Sequence, residues 1–105
     1  MNNNSRRSLI VARDELHANI NRNRIFPPYI QNPTRILTLL RRNNRRSRRN
    51  YNGFGLCRIV VKEEARIRHN VTNDIVVRLV ANLLWRESNE IEKNHYIVLA
   101  RIINN

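Results

Sequence analysis

A chain of 105 residues has room for one small domain, which excludes an enzyme with separate cofactor and substrate domains. Twenty Lys and Arg against eight Asp and Glu leave +12 at pH 7, a polycation whose partner is expected to be anionic. A hydrophobic content of 41%, with only two Gly and three Pro, argues against full disorder and for a modest core.

From the N-terminus, Ser8 to Ile20 carries Leu9, Ala12, Leu16 and Ile20 at helical spacing, enough for a short amphipathic helix. Phe26-Pro27-Pro28-Tyr29 breaks it, and Asn32-Pro33-Thr34 signals a further turn or two of helix through Ile36, Leu37, Leu39 and Leu40. Next comes Arg41-Arg42-Asn43-Asn44-Arg45-Arg46-Ser47-Arg48-Arg49, six Arg in nine residues with no acid and no apolar side chain. Such a block cannot pack and calls for phosphates or carboxylates to order it. Up to Asn50 the chain holds twelve Arg and two acids, +10, whereas residues 51–105 hold eight bases and six acids, +2. The charge layout therefore predicts a largely irregular basic arm over residues 1–45 joined to a near-neutral folded unit over 46–105.

That unit reads as three helices, at about 53–68, 73–86 and 89–103. In the first, Phe54, Cys57, Val61 and Ala65 form one apolar stripe, ended by His69-Asn70. Thr72 or Asn73 caps the second, Asp74 favours its dipole, and Val77, Ala81 and Trp85, widened by Val80 and Leu84, predict a buried face centred on the only tryptophan. Asn89 with Glu92 makes a capping box for the third, which is expected to turn Ile91, Tyr96, Leu99 or Ala100, and Ile103 inward. The Val60-Val61 and Val76-Val77 pairs would suit strands, but the helical spacing and the caps agree with each other.

Cys57 is the only cysteine, so no internal disulfide forms, and with three scattered His the chain is expected to hold no metal and no cofactor. On the apolar stripe Cys57 reads as a buried inert thiol rather than a nucleophile. Glu92-x-x-His95 has the spacing of half a di-iron carboxylate motif without the other half, and no Gly-rich phosphate loop exists, so no enzyme is expected. No apolar run nears the roughly 20 residues of a membrane span, and Leu9–Ala12 is too short for a signal peptide. A soluble protein of a reducing compartment is the expectation, with no membrane partner.

Arg48-Arg49-Asn50-Tyr51-Asn52-Gly53-Phe54-Gly55-Leu56-Cys57-Arg58 resembles the opening of an HMG box, basic residues before an Asn-small-Phe triplet and then an Arg. Trp85 through Tyr96, followed by Ala100, is similar to the family's Trp, short polar link, Glu-Lys-x-x-aromatic and Ala of the third helix. The stretch from Pro27 into the Arg run is similar to the leaders of fungal mating-type members. The resemblance covers residues 46–105 and implies an all-α, L-shaped three-helix box behind a mostly disordered arginine-rich arm. It further implies a monomeric, nuclear, sequence-specific transcription factor that bends A·T-rich duplex DNA through the minor groove.

The DNA-facing set so implied is Arg45, Arg46, Arg48, Arg49, Tyr51, Asn52, Phe54, Gly55, Leu56, Arg58 and Arg78. The arginines would lie on phosphates and in the groove, where a weakly hydrated guanidinium is favoured, and the run would also engage import receptors. Asn52 would bond base edges or cap the first helix. Phe54 and Trp85 read as scaffold at the corner of the L, with Lys93 and Tyr96 beside them. Departures are specific: Asn50 stands where the family has Pro, Cys57 where it has an aromatic, and Gly55 where a large apolar residue enters between base pairs. Leu56 or Tyr51 would have to serve as wedge, and bending weaker than the family norm is expected. The chain ends at Asn105, five residues after Ala100, where the family's third helix normally continues, as expected of a truncated box. The rival readings are an arginine-rich RNA-binding or ribosome-associated module and a degenerate box used as a protein partner.

Overall fold

A computed structural model describes residues 2–28, 32–43 and 51–104, the side chains of 2–7, 33, 40, 42 and 43 excepted. It is all-α. Among the described residues six helices follow in order: α1 (Asn2–Asn19), α2 (Arg22–Ile25), α3 (Pro33–Asn43), α4 (Gly53–His69), α5 (Asp74–Glu87) and α6 (Glu90–Asn104). The last three lie within a residue or so of the spans read from periodicity and caps, because the caps form as the residue types dictate. Asn52 Oδ1 accepts from Gly55 N at 2.7 Å, and Asn73 Oδ1 from Ile75 N and Val76 N at 2.9 and 3.2 Å. Asn89 and Glu92 exchange bonds of 2.8 and 2.9 Å in a reciprocal capping box. Asn70, left-handed at φ 55°, closes α4 with its N–H on Ala65 O, a conformation Asn tolerates better than most residues.

α4 is the central rod. Leu56, Cys57, Val60, Val61 and Ala65 are fully buried, and Ile59, Glu63 and Glu64 nearly so, far more of the circumference than the single stripe expected. α5 and α6 cover much of it, and α2 and α3 touch it too. The N-terminal segment is the main departure from the sequence reading. Much of what was expected to be a largely irregular arm folds back as α1–α3 and packs, since its apolar spacing is enough to bury. α1 lies along α5, with Leu9 and Ala12 beside Val71–Val76, His17 at Glu87, and Leu16 and Ile20 in the core. Asn32 caps α3 by accepting from Thr34 N at 2.8 Å, and Ile36 and Leu39 are buried beneath it.

Ile25 and Phe26 are buried under α6, where the Tyr96 hydroxyl donates to Ile25 O at 2.6 Å and the Phe26 and Tyr96 rings meet edge-on at 5.8 Å. Two ion pairs pin the same segment. Arg22 holds Glu92 through two bonds of 2.5 and 2.9 Å, and Arg24 Nε lies 2.9 to 3.0 Å from the buried carboxylate of Glu64. Two further expectations are corrected. α5 does not centre its buried face on Trp85, which is only half-buried, but on Val76, Val77, Val80, Ala81 and Leu84. Of the residues expected inward on α6, Tyr96, Leu99 and Ala100 are buried, whereas Ile91 is 72% exposed.

Candidate nucleic-acid interface

An α-helix turns about 100° per residue, and on that wheel Arg58, Lys62, Arg66 and His69 follow Gly55 along one narrow stripe of α4, the surface left uncovered until the last turn, where Ile67 and Arg68 are exposed as well. Every side chain on it is basic, and between Gly55 and Arg66 the other faces of the helix are taken largely by core. Across a cleft of about 200 Å³, α5 contributes Arg78 and Asp74, so Arg58, Lys62 and Arg78 converge on one opening floored by Ile59 and Val77. Arg78 is exposed and lies about 160° around α5 from Val76, which borders Leu9 and Ala12 of α1, so the docked N-terminal helix leaves this face open.

Charges in and near the cleft differ in how firmly they are held. Lys62 Nζ stands 3.3 Å from Asp74 Oδ1, a pair whose carboxylate is 70% exposed and which contributes little against solvent. Arg66 pairs with Glu63 one turn back. Arg58 and Arg78 make no hydrogen bond or ion pair with any described residue, and both are exposed. Two unneutralised guanidiniums beside a weakly engaged ammonium form a site for an anion, and their planar forks suit phosphate oxygens.

Around the N-terminus of α4 an aromatic corner sets how the helices cross. Phe54 meets Trp85 edge-on at 5.7 Å, Trp85 meets Tyr96 at 6.3 Å, and Lys93 Nζ lies 5.9 Å from the centre of the Trp85 ring. Gly53 permits the approach. A Cβ there would lie 3.0 Å from Ile97 Cγ1 and 3.2 Å from both Ile97 N and Trp85 Cη2. The chain entering α4 is tied to the end of α6, Tyr51 N donating to Asn104 Oδ1 at 2.9 Å and Asn104 Nδ2 to Tyr51 O at 2.8 Å.

Of the expected DNA-facing residues, Arg58 and Arg78 are brought together, and Gly55 opens onto the same stripe. Asn52 is exposed but its side chain is committed to the cap. Phe54 is half-buried against Trp85. Leu56 is 0% exposed, a core residue withdrawn from any contact with bases, because one step along the helix from Gly55 points it into the protein. Tyr51 is half-buried, its hydroxyl shut off from solvent, which removes it too as a free wedge. Arg45, Arg46, Arg48 and Arg49 lie outside the described residues.

Sequence reading missed Lys62 and Gly53. The i, i+4 succession Arg58-Lys62-Arg66 was a usable signal for the first; nothing local marks the second. Among the described residues no three His, Cys, Asp or Glu gather as for a metal, and Glu92 serves the capping box and Arg22. Arg22 holds the Glu92 carboxyl well down, to about 2. Cys57 is shut inside α4, and burial pushes its thiol up to about 12, the opposite of an activated nucleophile. No helix of the described residues is long and apolar enough to cross a membrane. No family model, curated protein or solved structure matches the chain.

Proposed function

We propose that this protein binds duplex DNA, with the α4–α5 basic face and the preceding Arg run lying along the minor groove in the manner of an HMG box. The observation that supports this most is the convergence of Arg58, Lys62 and Arg78 on an open cleft, with two of the three cations unneutralised by described residues. The Phe54-Trp85-Tyr96-Lys93 corner, which fixes how α4, α5 and α6 cross, is what the resemblance calls for at the bend of an L. In this reading the phosphate contacts of Arg58, Lys62 and Arg78 position the protein, and the arginines before α4 enter the groove. The protein acts in the nucleus as a sequence-specific regulator. Gly55 and the buried Leu56 leave no apolar side chain to part base pairs at that turn, so the duplex is bent little.

Titration against an A·T-rich duplex, a G·C-rich duplex and a structured RNA over a series of salt concentrations tests the reading. Preference for the A·T duplex is expected, with the slope of log affinity against log salt falling by about one for Arg58→Ala and again for Arg78→Ala. Equal or tighter RNA binding, or slopes unmoved by both variants, overturns it.

A further inference from the structure

α6 has a second face that its own fold leaves uncovered. Ile91, Val98 and Ile102 are 72%, 41% and 52% exposed, and His95 stands among them. The positions 91, 95, 98 and 102 step by four, three and four, the spacing of a helix-pairing seam, and all but one are aliphatic. This order reads the same in either direction. Two copies running antiparallel about a twofold axis level with the Tyr96–Ile97 bond would set Ile91 opposite Ile102 of the second copy and His95 opposite its Val98, two layers that repeat by symmetry.

Charge favours the same arrangement. Glu90 and Arg101 sit on one flank of the stripe, and neither has a partner among the described residues. In the antiparallel register Glu90 comes within about 3 Å along the axis of Arg101 of the second copy, and does so twice. Parallel pairing would instead stack Glu90 on Glu90 and Arg101 on Arg101. On the other flank the turn at Pro27 and Pro28 makes, with Asn94, His95, Val98, Leu99 and Ile102, an apolar groove of about 380 Å³, beside which Ile91 of the second copy would fall.

We infer that α6 pairs antiparallel with α6 of a second copy of this chain through Ile91, His95, Val98 and Ile102, so that the protein is a twofold dimer rather than the monomer expected from its sequence. The seam spans about three turns, small against the roughly 1,200–2,000 Å² of a stable interface, so the dimer is a reversible one in the micromolar range. It is independent of the nucleic-acid reading, since neither Arg58 nor Arg78 takes part.

Sedimentation of the full chain over about 1–200 µM, in enough salt to screen the repulsion between two +12 molecules, tests it. The mass is expected to double across the range. Val98→Lys should stay monomeric with unchanged helical circular dichroism. Glu90→Arg and Arg101→Glu should each weaken the dimer several-fold, and the two together should restore it. Chains carrying His95→Cys should cross-link to chains carrying Val98→Cys under mild oxidation. A chain monomeric throughout, or a dimer indifferent to Val98→Lys, overturns the inference, the first outcome leaving the face to a different partner. A double charge swap no better than the singles overturns the antiparallel register.

Discussion

Arg24→Leu probes whether the N-terminal segment is part of the fold. The Glu64 carboxylate is 2% exposed, near the middle of the most enclosed helix, and Arg24 Nε reaches it at 2.9 to 3.0 Å from α2. Breaking a buried pair costs about 3–5 kcal/mol because a charge is left in low dielectric. Arg24 itself is 33% exposed, and water would reach the carboxylate through the space its guanidinium leaves, so a cost at or below the bottom of that range is expected, roughly 2–3 kcal/mol. For a domain of this size that lowers Tm by about 10–20 °C. Thermal and urea unfolding followed by circular dichroism would measure it. Glu64→Leu added to Arg24→Leu should recover most of the loss, since an apolar pair has no stranded charge. An Arg24→Leu cost below about 0.5 kcal/mol, the range of a surface pair, would refute the reasoning, and so would a double variant no more stable than the single.

Three other outcomes are expected. Gly53→Ala should destabilise by roughly 1–2 kcal/mol in urea titration despite the better helix propensity of Ala, because one of the atoms its Cβ would meet is the Ile97 backbone nitrogen, which cannot rotate away. The Glu92 carboxyl, held at about 2 by Arg22, contributes stability that is fully present above about 4.5 and is lost as pH falls toward 2; Arg22→Met should therefore narrow its stability gap to the parent protein over that window. Gly55→Ile would place a large apolar side chain at the turn where, in the proposed binding mode, base pairs would be parted. Its Cβ comes 3.0 Å from Asn52 Oδ1, the end of a side chain that can shift, so at most a cap's worth of stability, roughly 0.5–2 kcal/mol, is lost while the bend angle rises in a circular-permutation gel assay.

α4, α5 and α6 were legible in the sequence because their signals are local. Asn52, Asn73 and the Asn89/Glu92 box mark starts within a residue, and Cys57, Val61 and Ala65 mark one buried stripe. What escaped notice depends on partners distant in sequence. Nothing near Glu64 says that Arg24, forty residues earlier, will meet it, so only the one apolar stripe of that helix was legible. Leu9, Leu16, Ile36 and Leu39 were visible as apolar patches, but the weight of charge around them suggested an arm rather than helices that bury. Ile91 was placed inward on periodicity alone, when Tyr96 and Leu99, which bury more surface, decide how α6 is rotated.

The same long-range pairing changes what the net charge means. Counted by halves, residues 51–105 carry eight bases and six acids and look nearly neutral. Glu64 and Glu92 are bound to Arg24 and Arg22 from the first half, and Glu87 is bonded by His17, while Asp74 is the acid that remains beside the cleft. The folded N-terminal segment thus commits two of its arginines to carboxylates of α4 and α6. The cations on the open stripe of α4 are left with less opposition than the sequence count implies. Folding sorts the charge by face, and the Arg58–Lys62–Arg78 cleft is more electropositive than a near-neutral half could be if its acids were spread evenly over its surface.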